Sequence, residues 1–397
     1  MKINVIKLMS PLHGEEKVLK SLQSTLDFFN DNFKVTYCLP QETEELTIVW
    51  VMTGGVEGEF KKIYPWLKKP IFLLAEDINN SLPAALEILA YIRMQGEKAY
   101  ILHGSFDNIK KDIERIYSLQ KAANKISNAR IANIGGPSDW LIASQVDFGK
   151  AHTLWGSTFL YYPMEELLKY IETSEQIENN GFLTKATSIE NVSENVIKEA
   201  EKIYNGIKKL VTEKEISAFT LKCFDLLSII SNTGCLPVAQ LNDEGIIAGC
   251  EGDMPALFTM FLVYALTGKR SFMANPSKIN KEDNTVLLAH CTVPTCIVEE
   301  YALKTHFESG IGVSVAGKFN KGPVTLVKIG GKALDKYYIS EGLIVCNTDD
   351  DNRCRTQIEV KLDYNLERLM SDPLGNHQIV VPGRVGEILR EFMEFMV

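Results

Sequence analysis

The sequence predicts an α/β protein: N-terminal, Rossmann-like parallel-sheet domains followed by a C-terminal antiparallel β-barrel-like domain. Three observations carry this. Short apolar runs alternate with segments of helical period through the first part of the chain. Glycine pairs follow the apolar runs 46–52 and 129–134, as at strand-to-loop turns. After Arg270 the texture changes to short β-rich runs bounded by glycine and proline. The 397 residues suffice for two or three cores. The expected division is 1–130 for a first α/β domain, 131–275 for a second, and 276–397 for the β-rich domain.

In order along the chain, the apolar runs 3–9, 46–52, 70–75, 99–103 and 129–134 read as strands, and 15–30, 82–94 and 108–126 as helices. Within 82–94 the residues Ala85, Ile88, Leu89 and Ile92 form one apolar stripe at helical spacing. A β-α-β-α alternation implies a parallel sheet with helices on both faces, and ligands sit beyond its C-terminal strand ends. The glycine pairs, Gly54-Gly55 and Gly135-Gly136, occupy such positions. Neither belongs to a GxGxxG or P-loop pattern, so plain turns explain them as well as a phosphate site does. Residues 188–215 and 216–230 read as two helices, and the apolar segment 254–266 as a buried core helix. The β-rich runs are 285–289, 311–316, 323–329, 337–345 and 357–360, followed by 377–381 and a terminal helix from Val385.

Composition narrows the function classes. The formal net charge is -9 and basic residues are dispersed, which argues against nucleic acid as a partner. No run approaches the ~20 apolar residues of a membrane span, and no signal-peptide core is expected at the N-terminus. Eight scattered cysteines point to reduced thiols and a cytoplasmic setting.

The chemistry concentrates at Gly249-Cys250-Glu251-Gly252-Asp253. Asp253, two residues before Pro255, reads equally well as the N-cap of the helix that follows. Glu251, flanked by small residues at the end of an apolar run, is expected to be partly buried and to need a cation or donors. His290 at the end of the strand 285–289 and His377 at the start of 377–381 are candidate partners. A carboxylate with two imidazoles suits Mn²⁺ better than a thiolate zinc site. A zinc site from His290, Cys291 and Cys296 has abnormal spacing for a finger, and Pro294 favours a turn there.

At these residues the chain resembles the L-fucose isomerase and L-arabinose isomerase superfamily, most nearly its shorter L-fucose isomerase-like members. The matching pieces are Cys250-Glu251-Gly252-Asp253 with Ala256-Leu257-Phe258-Thr259-Met260, then Ala289-His290-Cys291-Thr292 and Gly322-Pro323-Val324-Thr325-Leu326. Gly375-Asn376-His377 and Gly135-Gly136-Pro137-Ser138-Asp139-Trp140 complete them, in the family's order. The resemblance implies a metal-dependent aldose–ketose isomerase that works through a cis-enediol. It implies Mn²⁺, or another divalent metal, bound by Glu251 and His377, with Asn275 where the family carries a second acidic ligand. An amide oxygen can bind a metal but holds no charge and takes no proton. Proton transfer would then fall to Glu251 or Asp253; under a small shift of alignment Asp283, further along, would take the second acidic ligand position in place of Asn275. His290, Trp140 and Ser138 are implied as monosaccharide contacts, His290 also as a metal ligand. The resemblance also implies a homo-oligomer with sites near subunit interfaces. The alternative reading is a non-catalytic sugar-binding relative of the same fold.

Overall fold

The computed structural model describes residues 1–39, 45–174, 185–364 and 366–397. These form two compact units, Met1–Asn124 and Lys125–Val397.

The first unit is a five-stranded parallel sheet built from β1 (Lys2–Leu8), β2 (Lys34–Tyr37), β3 (Leu46–Val51), β4 (Ile71–Ala75) and β5 (Ala99–Leu102), in the order β2-β1-β3-β4-β5. β1, β3 and β4 are largely apolar and buried because helices cover the sheet, whereas the edge strand β2 is mostly exposed. The helix Ser81–Met94 turns Ala84, Ala85, Ile88 and Ile92 inward, onto a cluster that includes Val49, Val51 and Leu73. The stripe read from sequence is therefore the packing face, except that Leu89 sits at its half-buried edge. The single helix expected over 15–30 is two, Glu15–Ser21 and Gln23–Asn32, broken at the buried Leu22.

The second unit opens with β6 (Arg130–Ile134), β7 (Thr158–Tyr162), β8 (Ser188–Glu190), β9 (Ala218–Leu221) and β10 (Ile247–Cys250). Four of these make a parallel sheet in the order β10-β9-β6-β7. Two sequence expectations fail here. Residues 216–230 are not one helix: Ala218–Leu221 is a central strand, followed by the helix Cys223–Ile230. A central strand buried on both faces is a continuous apolar run, which periodicity cannot separate from a buried helix turn. Residues 188–190 form β8, paired parallel to a later strand, and the helix begins only at Glu194.

The remaining strands are β11 (Phe272–Asn280), β12 (Thr285–His290), β13 (Glu300–Lys304), β14 (Ser314–Lys318), β15 (Gly322–Gly330), β16 (Lys336–Asn347), β17 (Thr356–Leu362) and β18 (Gln378–Pro382). Six of them close an antiparallel barrel in the order β11-β12-β17-β16-β15-β18, and β14-β13-β8 form a small separate sheet. Closure leaves these barrel strands no free edge. Alternate residues supply one buried cluster: Phe272 and Ala274, Val286 and Leu288, Val324 and Leu326, Ile358 and Val360. The expected α/β architecture with a C-terminal antiparallel barrel is thus what the chain adopts. No described helix is long and apolar enough to cross a membrane.

Candidate functional site

The site is assembled where β10 of the parallel sheet hands over to the helix Met254–Thr267. Glu251 and Gly252 make the connection, both with positive φ (61° and 71°). Such a conformation is easy for glycine and strained for glutamate. Gly252 is indispensable for a second reason: a Cβ there would overlap the carbonyl oxygen of Gly136, in the loop after β6. The two glycine-bearing loops are pressed together, with Asn133 Nδ2 donating to the Gly252 carbonyl at 3.0 Å. The backbone N–H of Ser138 donates to the Glu251 carbonyl at 2.9 Å. Trp140 reaches over from the same loop, and its Nε1–H donates to Glu251 Oε2 at 2.7 Å. The strained glutamate is held at both its backbone and its side chain.

The second carboxylate oxygen, Oε1, faces two imidazoles. His290 Nε2 lies 3.5 Å away and His377 Nε2 3.4 Å, longer than good hydrogen bonds. The rings stand 5.4 Å apart at 70°. Both nitrogens of His290 and Nε2 of His377 are buried without a hydrogen-bond partner. Buried polar groups are rarely left unpaired, and two such atoms, the Nε2 of each ring, converging on one carboxylate oxygen call for a shared occupant. One donor atom from each of Glu251, His290 and His377 lies within 4.8 Å of the others, a spacing that suits a single metal ion.

Beneath this trio sits Asp253, wholly buried. Its Oδ1 caps the helix by accepting from Ala256 N–H at 2.8 Å, and its Oδ2 bonds His377 Nδ1 at 2.8 Å. A carboxylate behind a histidine fixes the ring and directs the far nitrogen outward, the usual support for a metal-ligating imidazole. Ser144 Oγ and Lys328 Nζ each lie 3.5 Å from the same oxygen. Burial alone would raise the Asp253 carboxyl, but Lys328 and His377 outweigh it and bring it down to about 2. Burial would likewise raise Glu251, and the two imidazoles hold it far below the ordinary carboxylate range. For His377 burial favours the neutral ring, and its bonds to Asp253 and Glu251 prevail, lifting it to about 9.

The residues singled out from sequence fall into two groups. Glu251, His290, His377, Asp253, Trp140 and the Ser138 backbone meet at one place, whereas the Ser138 hydroxyl is buried and unpaired. Asn275 is half-buried on β11, and its amide oxygen accepts from Asn376 at 2.7 Å. Trp140 is no core tryptophan: it is 53% exposed, its ring edge-on to Phe224 at 4.9 Å. Sequence reasoning missed Lys328 and Ser144. The signal for Lys328 was present, since on the alternation of β15 it shares a face with Val324 and Leu326, a cation in an apolar row.

No protein-family model matches the chain. Among curated proteins it is similar to the sulfoquinovose isomerase of Clostridium sp. (strain MSTE9), 23% identical over 226 residues, covering 55% of this chain and 50% of that protein. It is also similar to the sulfoquinovose isomerases of Priestia aryabhattai and Priestia megaterium (strain ATCC 12872 / QMB1551). Each is 20% identical over 262 residues, 62% of this chain and 58% of the relative. The chain spans between half and three-fifths of the length of these curated relatives.

Proposed function

We propose that this chain is a metal-dependent aldose–ketose isomerase acting on a monosaccharide through a cis-enediol. The observation that carries the reading is the convergence of unpaired His290 and His377 nitrogens on the Glu251 carboxylate. The similarity to sulfoquinovose isomerases supports the reaction class from an independent direction. Glu251, His290 and His377 would hold a divalent cation, with Mn²⁺ the choice implied by the mixed O/N donors. When bound, that cation supplies Lewis acidity, polarising a sugar carbonyl and stabilising the charge that develops on the enediolate.

The chain's own residues do the rest. Asp253 is enclosed and committed to the helix cap and to His377, so in this reading it orients rather than transfers protons. Glu251 is the carboxylate that remains within reach of a substrate, and the proton moving between C1 and C2 is assigned to it. Trp140 keeps that carboxylate turned toward the imidazoles and offers an exposed aromatic face to the C–H edges of a sugar. Ser138 fixes the loop through its backbone. Asn275, bonded to Asn376, yields its place among the ligands to His290. A homo-oligomer is also proposed, supported by the exposed apolar side chains of Trp140 and, two residues on, Ile142 (84% exposed); a native mass measurement decides it.

The deciding experiment is a screen of aldoses and ketoses, sulfoquinovose included, in Mn²⁺ with interconversion followed by NMR. Conversion of at least one pair, lost on chelation, is expected. Sugar binding by calorimetry with no ketose formed from any aldose would favour a non-catalytic sugar-binding relative, a reading supported by the uncharged Asn275.

A further inference from the structure

Lys328 lies outside the cluster just described, yet it is wholly buried and its ammonium lacks a hydrogen-bond partner in good geometry. A charged ammonium enclosed in this way is retained only where an opposite charge compensates it. Among the described residues its ion-pair contact is Asp253 Oδ2 at 3.5 Å, the oxygen that also holds His377 Nδ1. The fold explains how it arrives there. The β15–β18 register pairs Val327 with Ile379, the β11–β18 register Ala274 with Gln378, and the β11–β12 register Asn275 with Ala289. Continuing these ladders by one residue sets Lys328, Gln378, Ala274 and His290 side by side across four strands. Three of the four are polar, and two residues along each strand, on the same face, lie Leu326, Val380, Phe272 and Leu288 of the apolar cluster. The barrel therefore switches from an apolar to a polar row at the level of the metal-ligating histidine. The loop before β18 closes over this lysine: a Cβ on Gly375 (φ 107°) would meet its Cε at 3.7 Å and Ser144 Oγ at 3.3 Å.

We infer that Lys328 is a positioning residue that acts on the metal site through Asp253, holding the carboxylate so that His377 presents Nε2 to the ion. The inference rests on the metal-site reading above. Lys328 is not one of the three ligand residues; its ion-pair contact is with Asp253, the group behind one of them. Supporting partners of this kind typically set metal affinity within about 10- to 100-fold.

The test is a double-mutant cycle read by Mn²⁺ affinity, from calorimetry or the EPR signal of free Mn²⁺, on the full chain. Lys328→Met is expected to weaken binding about 10-fold or more. In a His377→Ala background, where the ligand it serves is gone, the same change should weaken binding by less than about 2-fold. A residue with only a structural role would weaken binding by the same factor in both backgrounds, and that result overturns the inference. So does equal affinity of Lys328→Met and the unaltered protein. If Lys328→Met does not fold, Lys328→Leu, which likewise removes both the charge and the donor to Asp253, replaces it, and unaltered affinity there is equally fatal. Weakened binding together with no sugar turnover would remove the isomerase reading and leave Lys328 in its role. Absence of Mn²⁺ binding by the unaltered protein would remove both.

Discussion

Glu251 combines three conditions that rarely coincide: a left-handed backbone, near-complete burial and a carboxylate facing unpaired imidazoles. If the carboxylate carries the proton, Glu251→Gln should lower kcat by about 100-fold or more while the protein stays folded, since general acid–base groups contribute on that scale. Steady-state kinetics on whichever sugar is turned over checks this, and a variant of undiminished kcat would move the role elsewhere. Trp140→Phe tests the support: it removes one donor to a charged acceptor, an interaction of roughly 1.5–3 kcal/mol. The expected result is a loss of about 10-fold or more in kcat/KM with little change in thermal stability, because the ring is half-exposed. Glu251 was legible in sequence because small residues around an isolated carboxylate signal burial. The division of labour between the histidines was not, because spacing along the chain does not reveal which ring has a carboxylate behind it. Nor was the service of Asp253, for which a capping role and a site role make the same sequence pattern.

At the scale of elements, the two loops that meet at Gly252 decide whether the site forms. Gly252→Ala forces a Cβ into the Gly136 carbonyl, backbone that cannot rotate aside, and should destabilise the second unit by roughly 3 kcal/mol, the upper end for overpacking. Denaturant unfolding measures it; a change within error would mean the loops can part. The first unit carries a separate prediction, at the end of β4. Burial raises the Glu76 carboxyl above its ordinary 4.5, against the opposing hydrogen bond from Trp50 Nε1 at 2.7 Å. A carboxyl raised on folding favours the native state fully below its unfolded value, and that contribution is lost as pH rises through its native one. Glu76→Gln, neutral throughout, should match the unaltered protein below about pH 4 and be the more stable from pH 6 to 7. Parallel stability curves for the two would refute this. Among the elements, the helix Ser81–Met94 was readable because one face is apolar at helical spacing. β9 was not, because all four of its residues are buried and no periodicity survives.

At the scale of the molecule, the residues of the trio all belong to the unit Lys125–Val397. A ligand that binds only the native state stabilises by about 2.7 kcal/mol at a hundredfold excess over its dissociation constant. Saturating Mn²⁺ should therefore raise the unfolding transition of this unit and leave that of Met1–Asn124 in place, an effect reversed by chelator and absent in His290→Ala. Calorimetric scans resolve the two, and a shift confined to the first unit would place the metal elsewhere. The overall architecture was legible because alternation of elements and the change of texture after Arg270 both follow from how sheets are covered. The strand order of the barrel was not, since it depends on pairings such as that of β11 with β18, about a hundred residues apart in sequence.

Asp253 serves the helix Met254–Thr267 with one oxygen and His377 with the other. For protein engineering this removes a familiar freedom. Serine or asparagine would be an acceptable substitute at most helix starts, and a design protocol that scores capping would accept either here. The helix would survive the exchange and the histidine would lose its anionic support. A library built on this scaffold should hold position 253 constant even when stability is the only trait under selection.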